Sequence, residues 1–264
     1  MEYNGYIHKF CTYLLHKVFS YRKKVINENL HSTLLLATPD KSMRLIGEYY
    51  KNLSAYILET IQLFAKDIQW FQNRIHYEGI EEMRECLTRS SVIVAGSHMG
   101  NWEWSAVLFP FFTQMPAFAV YKPLSNKKLD GPVKASRSRF GLGLLNMKEV
   151  VRFIHKKHQP AVFFFIADQS PADINSGNWH SFLGKETLFY NGPELLSQKF
   201  HLPVFMQTIS RLDGNAYKVV FHRLDADRIT ADFVKNLEQD IYKHPEAWLW
   251  SHRRWKHKKV SLQK

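Results

Sequence analysis

His98 and Glu103 are the side chains whose types and spacing best fit proton-transfer chemistry. They lie in the stretch GSHMGNWEW, residues 96–104, where the histidine follows an apolar run and the glutamate comes five positions later. A carboxylate that accepts a hydrogen bond from one ring nitrogen of a histidine fixes the tautomer and makes the other nitrogen a better base. The pair therefore predicts a general base that acts on a hydroxyl.

The two residues can meet only if the chain bends between them. On one continuous α-helix, side chains five residues apart point about 140° away from each other. Gly100 permits a bend and Asn101 is a favoured N-cap residue. Glu103 then falls in the first helical turn, where unpaired backbone amides stabilise a carboxylate. We therefore expect a strand, a turn at Gly100 and a helix that begins at Trp102.

No covalent nucleophile is evident beside this pair. Ser97 and Ser105 are near it in the sequence, but neither lies in a G-x-S-x-G elbow. Direct transfer is simpler: His98 takes the proton from a hydroxyl, which attacks an activated acyl carbonyl, and such help is worth roughly 10²–10⁴-fold in rate. The residues alone leave a second interpretation open, in which His98 is a structural core residue and Glu103 serves only the helix.

Apolar strands that alternate with helical patterns position the pair in a predicted α/β domain. Short apolar runs predict strands at 91–96, 116–121, 161–167, 203–209 and 217–222, with helical patterns at 102–109, 148–157 and 193–200. Such a pattern indicates a largely parallel mixed sheet flanked by helices, with active sites at the carboxyl ends of the strands. His98 follows the first of these strands, and Asp168 follows the third.

Helices are predicted before the sheet. A one-sided apolar stripe from Lys41 to Lys66 predicts a helix, and the basic segment 21–30 predicts the end of one helix running toward another. The sequence has no low-complexity linker and no internal repeat. We interpret residues 1–40 as an N-terminal amphipathic and basic segment and residues 41–264 as a single domain.

The charge predicts an anionic partner, and the hydropathy predicts no membrane span. A net charge of +12 with 14% aromatic residues fits nucleic acid, a phospholipid surface or an acidic carrier about equally. The longest apolar run, 161–167, is far shorter than the roughly 18 residues that a spanning helix needs. The N-terminus lacks the apolar core of a secretory signal. Cys11 and Cys86 are too few for a metal quartet or a disulfide framework, which favours a reducing compartment.

The stretch SHMGNWEW resembles the H-x4-D/E motif of the lysophospholipid acyltransferase superfamily. More narrowly, it is similar to the late lipid A acyltransferases of lauroyl and myristoyl type, particularly their Bacteroidetes members. Further segments agree in order: YRKKVINENL (21–30), VYKPLSNKKLD (120–130), SRSRFGLGLL (136–145), IADQSP (166–171), FLGKETLFYNGPELLSQKFHLPV (182–204) and PEAWLWSHRRWK (245–256). The F-P-E-G-T-R-S element of glycerolipid acyltransferases is missing, which favours the lipid A branch.

This resemblance implies a glycerolipid acyltransferase-like fold and an O-acyltransferase in which His98 is the base and Glu103 its charge partner. The donor is expected to be an acyl thioester of acyl carrier protein or coenzyme A, and the acceptor a lipid A precursor. Another lipid, such as an aminolipid, a lysophospholipid or a polyene pigment precursor, is the alternative acceptor. We expect a peripheral enzyme on the anionic cytoplasmic face of a bacterial inner membrane, with no nucleic acid, cofactor or metal. A non-catalytic lipid- or nucleic-acid-binding protein is the alternative from another class.

The resemblance also assigns supporting residues. One or both of Arg137 and Arg139 are predicted to contact a phosphate of the acceptor or of the donor's phosphopantetheine arm, because a guanidinium binds phosphate through two parallel donors. Solvated surface arginines are the alternative. Asp168 and Gln169 are predicted to orient the acceptor hydroxyl, or alternatively to brace the loop that follows them. The tail WLWSHRRWKHKK (248–259) mixes tryptophans with cations and predicts contact with an anionic leaflet. A nucleic-acid tail and a solvated helix end are the alternatives for this segment.

Overall fold

A computed structural model describes residues 5–33, 39–121, 123, 127–157 and 159–259. Parts of the predicted segments 1–40 and 120–130 lie outside these ranges. The chain forms two compact units, each assembled from separate stretches of sequence. The first comprises Met1–Glu59, Asp168–Asn191 and Thr230–Lys264, and the second comprises Thr60–Ala167 and Gly192–Ile229.

Helices and strands alternate through most of the chain, as the sequence predicts. The described α-helices are α1 (Gly5–Tyr13), α2 (Lys23–Thr33), α3 (Pro39–Gln62), α4 (Ile68–Gln72), α5 (Ile80–Leu87), α6 (Trp102–Thr113), α7 (Lys127–Ser138), α8 (Val150–Lys156), α9 (Gly192–Phe200) and α10 (Ile229–Lys243). The described strands are β1 (Ile75–Glu78), β2 (Val92–Gly96), β3 (Ala117–Tyr121), β4 (Gly143–Asn146), β5 (Val162–Ile166), β6 (Gly177–Phe182), β7 (Lys185–Tyr190), β8 (Val204–Leu212) and β9 (Ala216–Arg223).

The second unit contains a sheet of seven described strands in the order β1-β9-β8-β2-β5-β3-β4. Every neighbouring pair runs parallel except β8 and β9, which are antiparallel. This confirms the predicted largely parallel mixed sheet flanked by helices. β2 lies at the centre, where Ala95 pairs with Phe165 on one side and Met206 on the other. The chain that leaves β2 therefore starts from the middle of the sheet.

The centre of the second unit is apolar on both faces of the sheet. All five residues of β2 are buried, as expected for a parallel strand covered by helices on both sides. The following helix, α6, is apolar around most of its circumference and is buried along most of its length. Trp104 is fully buried and makes edge contacts with Phe71 and Tyr217. This packing holds α6 firmly behind the end of β2.

The first unit packs the C-terminal tail against its helices. The buried amide of Asn29, on α2, donates to the carbonyls of Trp250 and His252, each at 2.8 Å. Trp248 and Trp250 are only 3% and 0% exposed. The prediction that the tail's tryptophans meet a leaflet is therefore wrong for these two, because their rings form core contacts with each other.

Helix α1 leaves large apolar side chains exposed. Tyr6, Ile7, Phe10 and Tyr13 have exposed fractions of 50–80%. Within the described ranges, none of the helices combines the length and the apolar character needed to cross a bilayer.

Candidate active site

The turn between β2 and α6 has the bend that the sequence predicts. Gly100 adopts a φ of +58°, in the left-handed region that suits glycine. Asn101 caps α6, since its side-chain oxygen accepts a hydrogen bond from the backbone amide of Trp104 at 3.0 Å. The cap places Glu103 in the first turn of the helix. Both local predictions, the bend and the cap, are confirmed.

Replacing Gly100 with alanine should destabilise this turn. A Cβ atom there would lie 2.7 Å from Cγ2 of Ile209 on β8, and the positive φ is itself unfavourable for any L side chain. We expect the free energy of unfolding to fall by about 1–2 kcal/mol or more. Urea denaturation measures the change. Gly47→Ala is the control, because Gly47 lies within α3 with open space at its Cβ position. That substitution should raise stability, and equal effects of the two would contradict the strain at Gly100.

His98 lies two residues after the carboxyl end of the central strand β2 and is partly exposed. Its ring meets Trp102 edge to face, with the ring centroids 4.7 Å apart and the planes at 70°. The sequence assigned no role to Trp102. Its position as the first residue of α6, four residues after the histidine, is the signal that could have indicated this contact. The indole therefore limits the orientations open to the imidazole.

Glu103 is held by Arg137, from the last turn of α7. Nε of Arg137 donates to Oε2 of Glu103 at 2.8 Å, and Nη2 donates to Oε1. The side chains of Glu103 and Arg137 are only 10% and 26% exposed. Two parallel donors fix the plane of a carboxylate as well as its position. The guanidinium predicted to bind a phosphate thus has a protein carboxylate as its partner, while the contact between Glu103 and His98 stays a prediction.

Arg139 fastens the end of α7 to the turn after α3. Its Nη1 donates to the carbonyls of Leu63 at 3.0 Å and Lys66 at 2.6 Å. Its guanidinium also lies over the ring of Phe140, 5.2 Å from the centroid. These contacts are structural, and a phosphate contact by Arg139 stays a prediction.

Ser105 lies on α6 and is fully buried. Its hydroxyl donates to Oε1 of Gln207 on β8 at 2.6 Å, and its carbonyl accepts from the hydroxyl of Tyr77 at 2.9 Å. Burial raises the pKa of Tyr77, so its hydroxyl stays protonated and able to donate. These bonds fix the first turns of α6 to the sheet. They also agree with the expectation that Ser105 is not a nucleophile.

Asp168 follows β5 in the sequence and belongs to the first unit. It is 1% exposed, and its carboxylate accepts a hydrogen bond from Nε1 of Trp248 at 2.8 Å. Arg254 of the same unit donates to the carbonyl of Leu188 at 2.7 Å. Burial lowers the pKa of Arg254 to about 10, and the charge of Asp168 acts in the opposite direction.

The bond from Trp248 gives Asp168 a structural role within the first unit. The alternative prediction, that Asp168 and Gln169 brace the loop that follows them, stays a prediction. Gln169, the next residue, is half-buried. The predicted contact of Asp168 and Gln169 with an acceptor hydroxyl stays a prediction.

Comparisons with known proteins agree along nearly the whole chain. The family model described as bacterial lipid A biosynthesis acyltransferase matches residues 5–257. The chain is 21% identical over 251 residues to the lipid A biosynthesis palmitoleoyltransferase of Escherichia coli (strain K12). This alignment covers 90% of the chain and 80% of that protein. The same identity and coverage apply to the lipid A biosynthesis acyltransferase of Shigella flexneri.

Proposed function

Because the chain belongs to the bacterial lipid A biosynthesis acyltransferase family, and is thus an O-acyltransferase, we propose that it acylates a hydroxyl of a lipid A precursor with His98 as general base. The observation that carries this mechanism is the buried Glu103 carboxylate, which Arg137 holds in the first turn of α6. We propose that this fixed anion, five residues after the histidine, stabilises the imidazolium that forms when His98 takes up a proton.

The proposed reaction proceeds by direct transfer. Nε2 or Nδ1 of His98 takes the proton of the acceptor hydroxyl as its oxygen attacks the thioester carbonyl carbon. The tetrahedral intermediate then collapses with cleavage of the C–S bond, and the imidazolium returns the proton to the departing thiolate. The products are an ester and a free thiol. Glu103 stabilises the transient imidazolium, and Arg137 keeps the carboxylate oriented.

The proposed donor is acyl carrier protein, with coenzyme A as the alternative carrier. An acidic carrier would be attracted by the net charge of +12. The chemistry uses only side chains and substrates, so we propose neither a cofactor nor a metal, and no nucleic acid partner. The more specific likeness to the Bacteroidetes members of the family stays a prediction.

The proposed location is the cytoplasmic face of the bacterial inner membrane, with peripheral attachment. The exposed aromatic rings of Tyr6, Phe10 and Tyr13 on α1 support contact with a lipid surface. Rings of this kind favour the headgroup region of a bilayer, and the adjacent Lys9 and Lys17 would favour anionic lipids.

The test is an acyl-transfer assay with purified protein. We expect a lipid A precursor incubated with acyl-carrier-protein thioester to gain the mass of one acyl chain, with one thiol released for each ester formed. Mass spectrometry measures the lipid, and a thiol reagent measures the release. A lysophospholipid and an aminolipid serve as competing acceptors. Preferential acylation of either competitor, or thiol release without ester formation, would reject the proposed acceptor.

A further inference from the structure

A cavity of about 850 Å³ lies within the first unit, and its lining includes none of the residues used in the proposed chemistry. It is formed by α2, the first residue of β7 and the C-terminal segment. Its lining includes Lys24, Glu28, Lys185, Arg253, Trp255 and Lys256. We name it the basic groove.

Hydrogen bonds join the walls of the basic groove to one another. Asn29 ties α2 to the C-terminal segment through the two carbonyl contacts described above. Nε1 of Trp255 donates to the hydroxyl of Thr187 on β7 at 2.8 Å. Nζ of Lys185 lies 5.1 Å from the centre of the Trp255 ring and donates to the hydroxyl of Ser32 at 3.0 Å. The walls of the groove are therefore fixed to one another by hydrogen bonds, and the indole of Trp255 forms one of them.

The charge in the basic groove is unbalanced. Four cations line it, whereas Glu28 is the one carboxylate among its lining residues and lies 3.9 Å from Lys24. In the part of the chain that the structure describes, no carboxylate lies within 4.0 Å of Lys185, Arg253 or Lys256. Like charges gathered around a concave surface raise the local positive potential and attract an anion.

We infer that the basic groove binds the phosphate of a lipid headgroup. Its volume falls in the range of small-ligand sites, about 300–1,000 Å³. A guanidinium and ammonium groups suit phosphate oxygens, and the indole of Trp255 offers an apolar wall to the rest of a headgroup. Stable binding of a carrier protein would instead bury about 800 Å² of surface on each partner, which calls for an extended surface rather than a groove of this size. Arg137 and Arg139 already donate to Glu103 and to backbone carbonyls, and the basic groove supplies cations that are independent of these two arginines.

The phosphate could come from the acyl acceptor or from the bilayer, and only the first source rests on the proposed function. The test uses two probes: a bisphosphorylated glucosamine disaccharide without acyl chains, and phosphatidylcholine vesicles with or without phosphatidylglycerol. Titration calorimetry measures disaccharide binding, and flotation measures vesicle binding. The test variant is Lys185→Gln with Lys256→Gln. The matched control is Lys235→Gln with Lys243→Gln, which removes two exposed lysines of α10 in the same unit.

We expect the groove double variant to bind the disaccharide about tenfold more weakly than the control double variant. A loss confined to phosphatidylglycerol vesicles would support the groove with the bilayer as the source. Equal binding by the two double variants, or weaker binding of acyl carrier protein alone, would overturn the inference. Arg253→Gln repeats the test should the Lys185 contacts prove necessary for folding. Binding can be measured without turnover. If the groove binds its ligand but the protein transfers no acyl chain, the proposed function is rejected while the groove inference stands.

Discussion

Replacing His98 with alanine should lower the rate of acyl transfer by roughly 10²–10⁴-fold, the usual value of general-base catalysis. The side chain is partly exposed at the end of β2. Its removal therefore deletes the proton acceptor without leaving a large cavity in the core. Thiol release under saturating acyl-carrier-protein thioester measures the loss in kcat, and thermal unfolding shows whether the fold is retained.

His155→Ala is the matched control for this experiment. His155 is an exposed histidine in the last turn of α8, in the same unit, and its loss should leave the rate unchanged. If His98→Ala transfers acyl chains at the wild-type rate, His98 is not the base and the proposed mechanism fails. A wild-type protein that binds lipid but never transfers an acyl chain would instead support the non-catalytic alternative.

The sequence predicted the central elements well because each carries a strong local signal. The run that contains β2 is continuously apolar, and Gly100 with Asn101 marks the turn and cap that follow it. The hairpin formed by β6 and β7 was missed, since its antiparallel strands have mixed burial and little continuous apolar character. Short edge strands such as β1 and β4 were missed for a related reason, because four residues give a weak pattern.

The contacts of the site were harder to predict because they join distant residues. Arg137 lies 34 positions after Glu103, and nothing in either local pattern indicates the pair. Family likeness assigned the guanidinium to phosphate, a role that its chemistry also suits. The tail shows the same difficulty, since tryptophans that fit a membrane interface by composition are core residues when a helix covers them. The type of a residue indicates which contacts it can make, but its actual contact partner depends on tertiary packing.

Replacing Arg137 with alanine should lower kcat by roughly tenfold to 100-fold, which corresponds to the loss of about 1.5–3 kcal/mol from a charge-assisted interaction. The carboxylate of Glu103 would stay largely buried without its two donors. Without these donors the carboxylate is no longer fixed in plane and position, so it stabilises the proposed imidazolium of His98 less. Arg137→Lys keeps the charge but loses the parallel donors, so we expect an intermediate rate.

The kinetic pattern of the Arg137 variants separates a positioning role from phosphate binding. If Arg137 acts through Glu103, kcat falls and the KM for the acceptor changes little. If Arg137 binds a substrate phosphate, the KM for that substrate rises. Arg152→Ala is the control, since the pair of Arg152 with Glu149 spans 3.5 Å between side chains that are 70% and 54% exposed. Such a surface pair contributes about 0–1 kcal/mol, so its loss should alter neither kcat nor KM.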